Sequence, residues 1–165
     1  MSAAAQRRYL ASDAIDHYTF DPGPRARSLV ARLMAELEAG RDRTAPATAR
    51  ELAAELCVRA GATPVSLEVR GVRPRNTRGE LHGLYYPAKP PRIVLWMRTA
   101  QRRDVVKPKT FVRTLLHEIG HHLDYAALHL GDSYHTAGFF KRESWLMRAL
   151  TTAPASDDPN GTLPF

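Results

Sequence analysis

Two histidines four residues apart, with a glutamate directly after the first, stand at His117, Glu118 and His121. On a helix, positions four apart lie one above the other, so the two imidazoles face the same way and can hold one divalent ion. Glu118 lies roughly 100° round from His117, close enough to reach a water on that ion without being a ligand of it. Histidine nitrogens at this spacing suit Zn²⁺, which acidifies a bound water whose proton a neighbouring carboxylate can take. The chemistry implied is hydrolysis, with peptide bonds in proteins as the substrate class that H-E-x-x-H sites serve.

A catalytic zinc takes three protein ligands and keeps one position open. The longer pattern that places Gly at 124 and His at 127 is excluded by Asp124 and Ala127. Two downstream residues qualify as the third ligand. His135 sits in the loop before the last helix. Glu143 lies on that helix with Phe139, Leu146 and Leu150, a carboxylate on an apolar side and therefore in need of a partner. Along a helix the two would be roughly 12 Å apart, too far to share one ion, so the other is free to accept a ligand imidazole's N–H. Five of the seven histidines fall between 117 and 135, a clustering that scattered surface histidines do not produce. Asp124, at the edge of the metal face, is a candidate for orienting His117 or His121. His122 reads as a bystander bordering the core and His129 as a surface residue. Tyr125 and Tyr134 are candidates for hydrogen bonds to a tetrahedral intermediate.

His117-Glu118-x-x-His121, a spacer, and then His135-x-x-x-Phe139 at a helix start resembles the SprT-like (Spartan-type) metallopeptidases, over residues 80–150. The resemblance implies His135 as third ligand in preference to Glu143, proteolytic activity, and DNA-linked substrates. It also implies a zincin-like fold in which an extended substrate pairs with an edge strand, here 80–86 or 92–97. The chain departs from that pattern at Thr136-Ala137-Gly138, which replaces an immediate His-Gly and moves Phe139 by one place. No zinc-ribbon cysteines follow.

The elements that must position these residues are legible as periodicity. Leu29, Val30, Leu33, Met34 and Leu37 predict an amphipathic helix over 25–38, and Leu52, Leu56 and Cys57 a second over 44–60 that Gly61 stops. Alternation then predicts a half-buried strand at 65–70, a second at 80–86, and a third at 92–97 that is apolar on both faces and so interior. Residues 71–79 read as a polar, Arg-rich turn. The motif helix covers 109–129, with Pro108 at its start. Its core face carries Val112, Leu115, Leu116, Ile119 and Leu123. Gly120 lies on the core side, where a strand is expected to approach closely. A last helix covers 137–150. The expected fold is α+β, a small twisted sheet packed against helices. One domain spans 26–150, between a loosely ordered segment 1–25 and a flexible tail 151–165.

Composition bounds the rest. The chain has 165 residues and a formal net charge of +7. Between Arg70 and Arg113 stand 12 Lys or Arg against Glu80 and Asp104, a basic region suited to DNA or another acidic partner. A zinc-binding regulatory or DNA-associated protein with little turnover is the competing reading. Cys57 is the only cysteine, so no intrachain disulfide forms, which suits a reducing cytoplasm. The first residues lack the apolar core of a signal peptide, and no stretch approaches the roughly 20 apolar residues of a membrane span.

Overall fold

A computed structural model describes residues 1–76 and 79–152. In chain order the elements are α1 (Ala3–Asp13), α2 (Gly23–Glu38), α3 (Ala45–Ala60), β1 (Ser66–Val72), β2 (Arg75–Asn76) and β3 (Gly79–Glu80). There follow β4 (Gly83–Tyr86), β5 (Arg92–Arg98), α4 (Pro108–Ala126) and α5 (Ala137–Thr151). The class is α+β, with five helices and one small mixed sheet among the described residues.

The sheet has the order β1-β5-β4, with β5 parallel to β1 and antiparallel to β4. Ile93 to Met97 of β5 are all buried, as expected of a central strand that carries apolar residues on both faces. Ile93, Leu95 and Met97 join a core built from Leu29, Leu33 and Leu37 of α2, Leu52 and Leu56 of α3, and Leu115, Leu116, Ile119 and Leu123 of α4. The three- and four-residue spacing of those leucines gives each helix one apolar stripe. α3 ends where Gly61 takes a left-handed conformation. α4 starts at Pro108, whose missing N–H costs nothing in a first turn. α5 is capped by the Thr136 hydroxyl, which accepts from the Phe139 N–H at 2.9 Å.

Three expectations need correction. Residues 1–25 are not a loose segment: they include α1, which packs on α5, and Tyr18, which is buried in the core. Strand 80–86 is shorter, Gly83–Tyr86, because Gly79–Glu80 turn away to pair with Arg75–Asn76 in a separate two-stranded hairpin within the expected turn region. At Gly120 the close neighbour is a helix and not a strand: an added Cβ would lie 3.3 Å from the Phe139 ring of α5. Of the tail expected from 151, Thr151 closes α5, and everything from residue 153 lies outside the described residues. No helix among the described residues is long and apolar enough to cross a membrane.

Candidate metal centre

His117 and His121 project from successive turns of α4, and the loop 131–136 brings His135 over them. Their Nε2 atoms form a triangle with sides of 3.3 Å (117–121), 3.0 Å (117–135) and 3.0 Å (121–135). Three nitrogens bound to a tetrahedral Zn²⁺ at about 2.0–2.1 Å would be separated by about 3.3 Å, so the donor set fits such an ion closely. The hydrogen bonds on the far sides of two rings strengthen that fit. His117 Nδ1 is 2.8 Å from Glu143 Oε2. A carboxylate only accepts, so it fixes the proton on Nδ1 and leaves Nε2 a bare lone pair. His121 Nδ1 is 2.6 Å from Ser133 Oγ, and that hydroxyl donates to Asp124 Oδ2 at 2.7 Å. Ser133 therefore accepts from His121, which again leaves Nε2 bare. Two lone pairs facing one another at this distance can be bridged by a cation.

Glu143 thus stands behind His117, on the opposite side of the ring from the nitrogen triangle. Asp124 acts on His121 through Ser133. Asp124 is itself fully buried and is paired with the fully buried Arg142 of α5 at 3.0 Å. His122, read from the sequence as a bystander, is built in. Its Nε2 lies 2.7 Å from the Thr63 carbonyl and its Nδ1 3.2 Å from the Tyr85 hydroxyl, while the Tyr85 ring stacks parallel to His121. Tyr125 lines the cavity, whereas the Tyr134 hydroxyl donates to Asp132 at 2.9 Å. His129 is exposed beyond the end of α4.

Electrostatics differ sharply within the cluster. Burial, together with the neighbouring charges of His117 and His135, pushes His121 down to about 3 and so keeps it neutral. Burial also lowers His135. Burial alone would lower His117 too, but the Glu143 hydrogen bond and the charges of Glu118 and Glu143 raise it overall. Glu118 is only 7 % exposed, and burial pushes its carboxyl up to about 7. A group poised there can both take and return a proton at neutral pH.

Glu118 and the histidines line a cavity of ≈ 390 Å³ whose opposite wall is Gly83, Leu84 and Tyr85 of β4. A second cavity of ≈ 400 Å³, reaching Arg113, Phe140 and Glu143, shares Gly83, His117 and Glu118 with the first. A third of ≈ 340 Å³, toward Thr63 and Ala126, shares Tyr85, Pro87 and Tyr125 with it. All three lie beside β4 or the turn that follows it. Gly83 is why β4 can lie so close: a Cβ there would stand 2.8 Å from Glu118 Oε1 and 2.9 Å from Leu95 Cδ2. A glycine inside a strand pattern is itself a sign of close backbone approach, and it was the available clue. The clue to Arg142 was a charge beside the apolar stripe of α5.

The basic region is only partly free. Arg70 pairs with Glu68 at 2.7 Å and Arg98 with Asp42 at 2.6 Å. Arg102, Arg103, Lys107, Lys109 and Arg113 are exposed around the start of α4. Compared with protein-family models, curated proteins and solved structures, the chain gives no match.

Proposed function

We propose that this chain is a zinc-dependent metallopeptidase of the zincin type, similar to the SprT-like enzymes, that hydrolyses peptide bonds in proteins. One observation carries the reading: the Nε2 atoms of three histidines converge to within 3.3 Å of one another on one wall of a cavity that buried Glu118 also lines. When bound, Zn²⁺ would supply a Lewis acid and bring the pKa of a water to near 7. His117, His121 and His135 would hold the ion. Glu143 and Ser133 fix the tautomers of His117 and His121. Glu118, which lines the same cavity as the three histidines, would take a proton from the attacking water and return it to the departing amine. Of the two strands considered for substrate, β5 is excluded because both its edges are paired. Among the described residues β4 has one free edge, and it flanks the cavity, so an extended peptide would add to the sheet there and lie across Glu118. The buried Cys57 thiol suits a reducing cytoplasm.

The test is Glu118→Gln. The variant is expected to keep zinc, since Glu118 is no ligand, and to lose proteolysis of an unfolded protein by at least about a hundredfold, the scale of a missing general base. Full proteolysis by a zinc-loaded Glu118→Gln chain would sink the mechanism.

A further inference from the structure

Helix α1 reaches the metal centre through two sets of contacts. The first runs through Arg142. Its Nη1 donates to the Ser12 carbonyl at 2.7 Å and to the Ile15 carbonyl, and its Nη2 to Ser12 Oγ at 3.1 Å and Asp124 Oδ1 at 3.0 Å. The end of α1 thus supplies two of the four acceptors of a fully buried guanidinium, and Ile15 just beyond the helix a third. Asp124 passes the constraint to Ser133, and Ser133 to His121. Removing α1 would leave a buried cation short of acceptors, a costly state that is relieved only by moving Arg142 and with it Asp124.

The second set grips the loop 131–136, which carries both Ser133 and His135 and has no regular secondary structure of its own. Arg8 pairs with Asp132, and the Arg8 side chain lies against Gly131, where a Cβ would come within 2.7 Å of its Cδ. The Tyr9 ring packs on Tyr134 with centroids 5.9 Å apart, and Ser12 Oγ lies 3.4 Å from Thr136 Oγ1. At the base of the loop the Gly138 N–H donates to Asp13 Oδ1 at 3.0 Å. A Cβ on Gly138 would be 2.5 Å from the Asp13 carbonyl oxygen, so α1 meets α5 backbone to backbone.

We infer that α1 is a clasp on the metal-binding loop. It sets the positions of Ser133 and His135, and displacing it lowers the affinity of the chain for a divalent ion while the α2–α5 core stays folded. The inference rests on the metal reading of the three-histidine site. Arg8, Tyr9 and Arg142 are positioning residues in this scheme and touch no reacting atom.

The test uses the full chain and Co²⁺ as probe. Arg8→Ala with Tyr9→Ala removes the grip on the loop at partly exposed positions where the core is untouched. An exposed ion pair alone contributes little, which is why the two are changed together. Gly138→Ala wedges α1 away from α5 independently. Each variant is expected to bind Co²⁺ about 10–100-fold more weakly by chelator competition, the usual cost of losing a ligand's supporting partner. In the metal-free chain, amides of 131–136 should exchange faster while those of 108–126 keep wild-type protection. Wild-type affinity in both variants, or weaker binding with loop exchange unchanged, overturns the clasp. Failure of the wild-type chain to bind Co²⁺ would sink the metal reading, and loop exchange would still decide whether α1 holds the loop.

Discussion

Glu118 is a carboxyl kept from water, and its environment can be read in stability as well as in turnover. Burial pushes it from 4.5 to about 7, with His117 drawing it back and Glu143 adding to the rise. The folded state therefore holds the proton more tightly than the unfolded chain. The contribution to stability is present below pH 4.5 and is lost as pH rises through about 7. Metal-free Glu118→Gln keeps the shape and removes the charge. It is expected to match wild type at pH 4 and to exceed it at pH 8, by at most ~3 kcal/mol for a shift of this size. Urea unfolding in the presence of chelator at the two pH values measures this, and the same difference at both would contradict a buried, perturbed Glu118. His117, Glu118 and His121 are legible in the sequence because helical spacing alone puts them on one face. His135 and Glu143 are legible as candidates, one by residue type and loop position, the other as a carboxylate among apolar neighbours. Ser133, Arg142 and the bonded role of His122 are not, since each acquires its partner only when segments distant in the chain meet.

At the level of elements, the decisive pairing is between α4 and β4, and Gly83 is its contact point. A methyl group at 83 would strike Glu118 and Leu95 together, so one of the three must move. Gly83→Ala should keep its zinc and its circular dichroism but lose on the order of a hundredfold in kcat/KM on an unfolded protein, the scale expected when a reacting group is displaced by about an ångström. Wild-type turnover in that variant would mean that β4 does not set the position of Glu118. The long helices and the central strand follow from the sequence because their apolar residues recur at the period of the element, as Leu29, Leu33 and Leu37 do. α1 escapes that logic. Its run AAAQRRYLASD has no apolar stripe. What holds it is polar and distant: Arg142, Asp132 and the Gly138 N–H. The β2–β3 hairpin escapes it as well, since two residues per strand are too few to show alternation.

For the molecule as a whole, a metal at the nitrogen triangle acts as a crosslink. His117 and His121 belong to α4 and His135 to the following loop, while Glu143 ties His117 to α5. The loop is otherwise held to the helices by side-chain hydrogen bonds, the Arg8–Asp132 ion pair and the Tyr9–Tyr134 ring contact. An ion that binds the folded chain and not the unfolded one stabilises it by mass action, about 2.7 kcal/mol when the free ion stands a hundredfold above its dissociation constant. For a chain of this size that corresponds to a fall in the unfolding midpoint of roughly 5–10 °C when the ion is stripped by EDTA. Re-addition of Zn²⁺ should restore the midpoint, and addition of Ca²⁺, which prefers oxygen ligands, should not. The shift should also shrink as pH falls, beginning above the ordinary histidine value of 6.5. Protons then compete with the ion for His117, whose folded-state affinity for them is raised. His121, pushed down to about 3, holds out longest. A midpoint indifferent to EDTA at pH 8, in protein whose zinc was measured before and after, would mean that no ion bridges the loop to α4. The convergence of the three histidines would then need another cause.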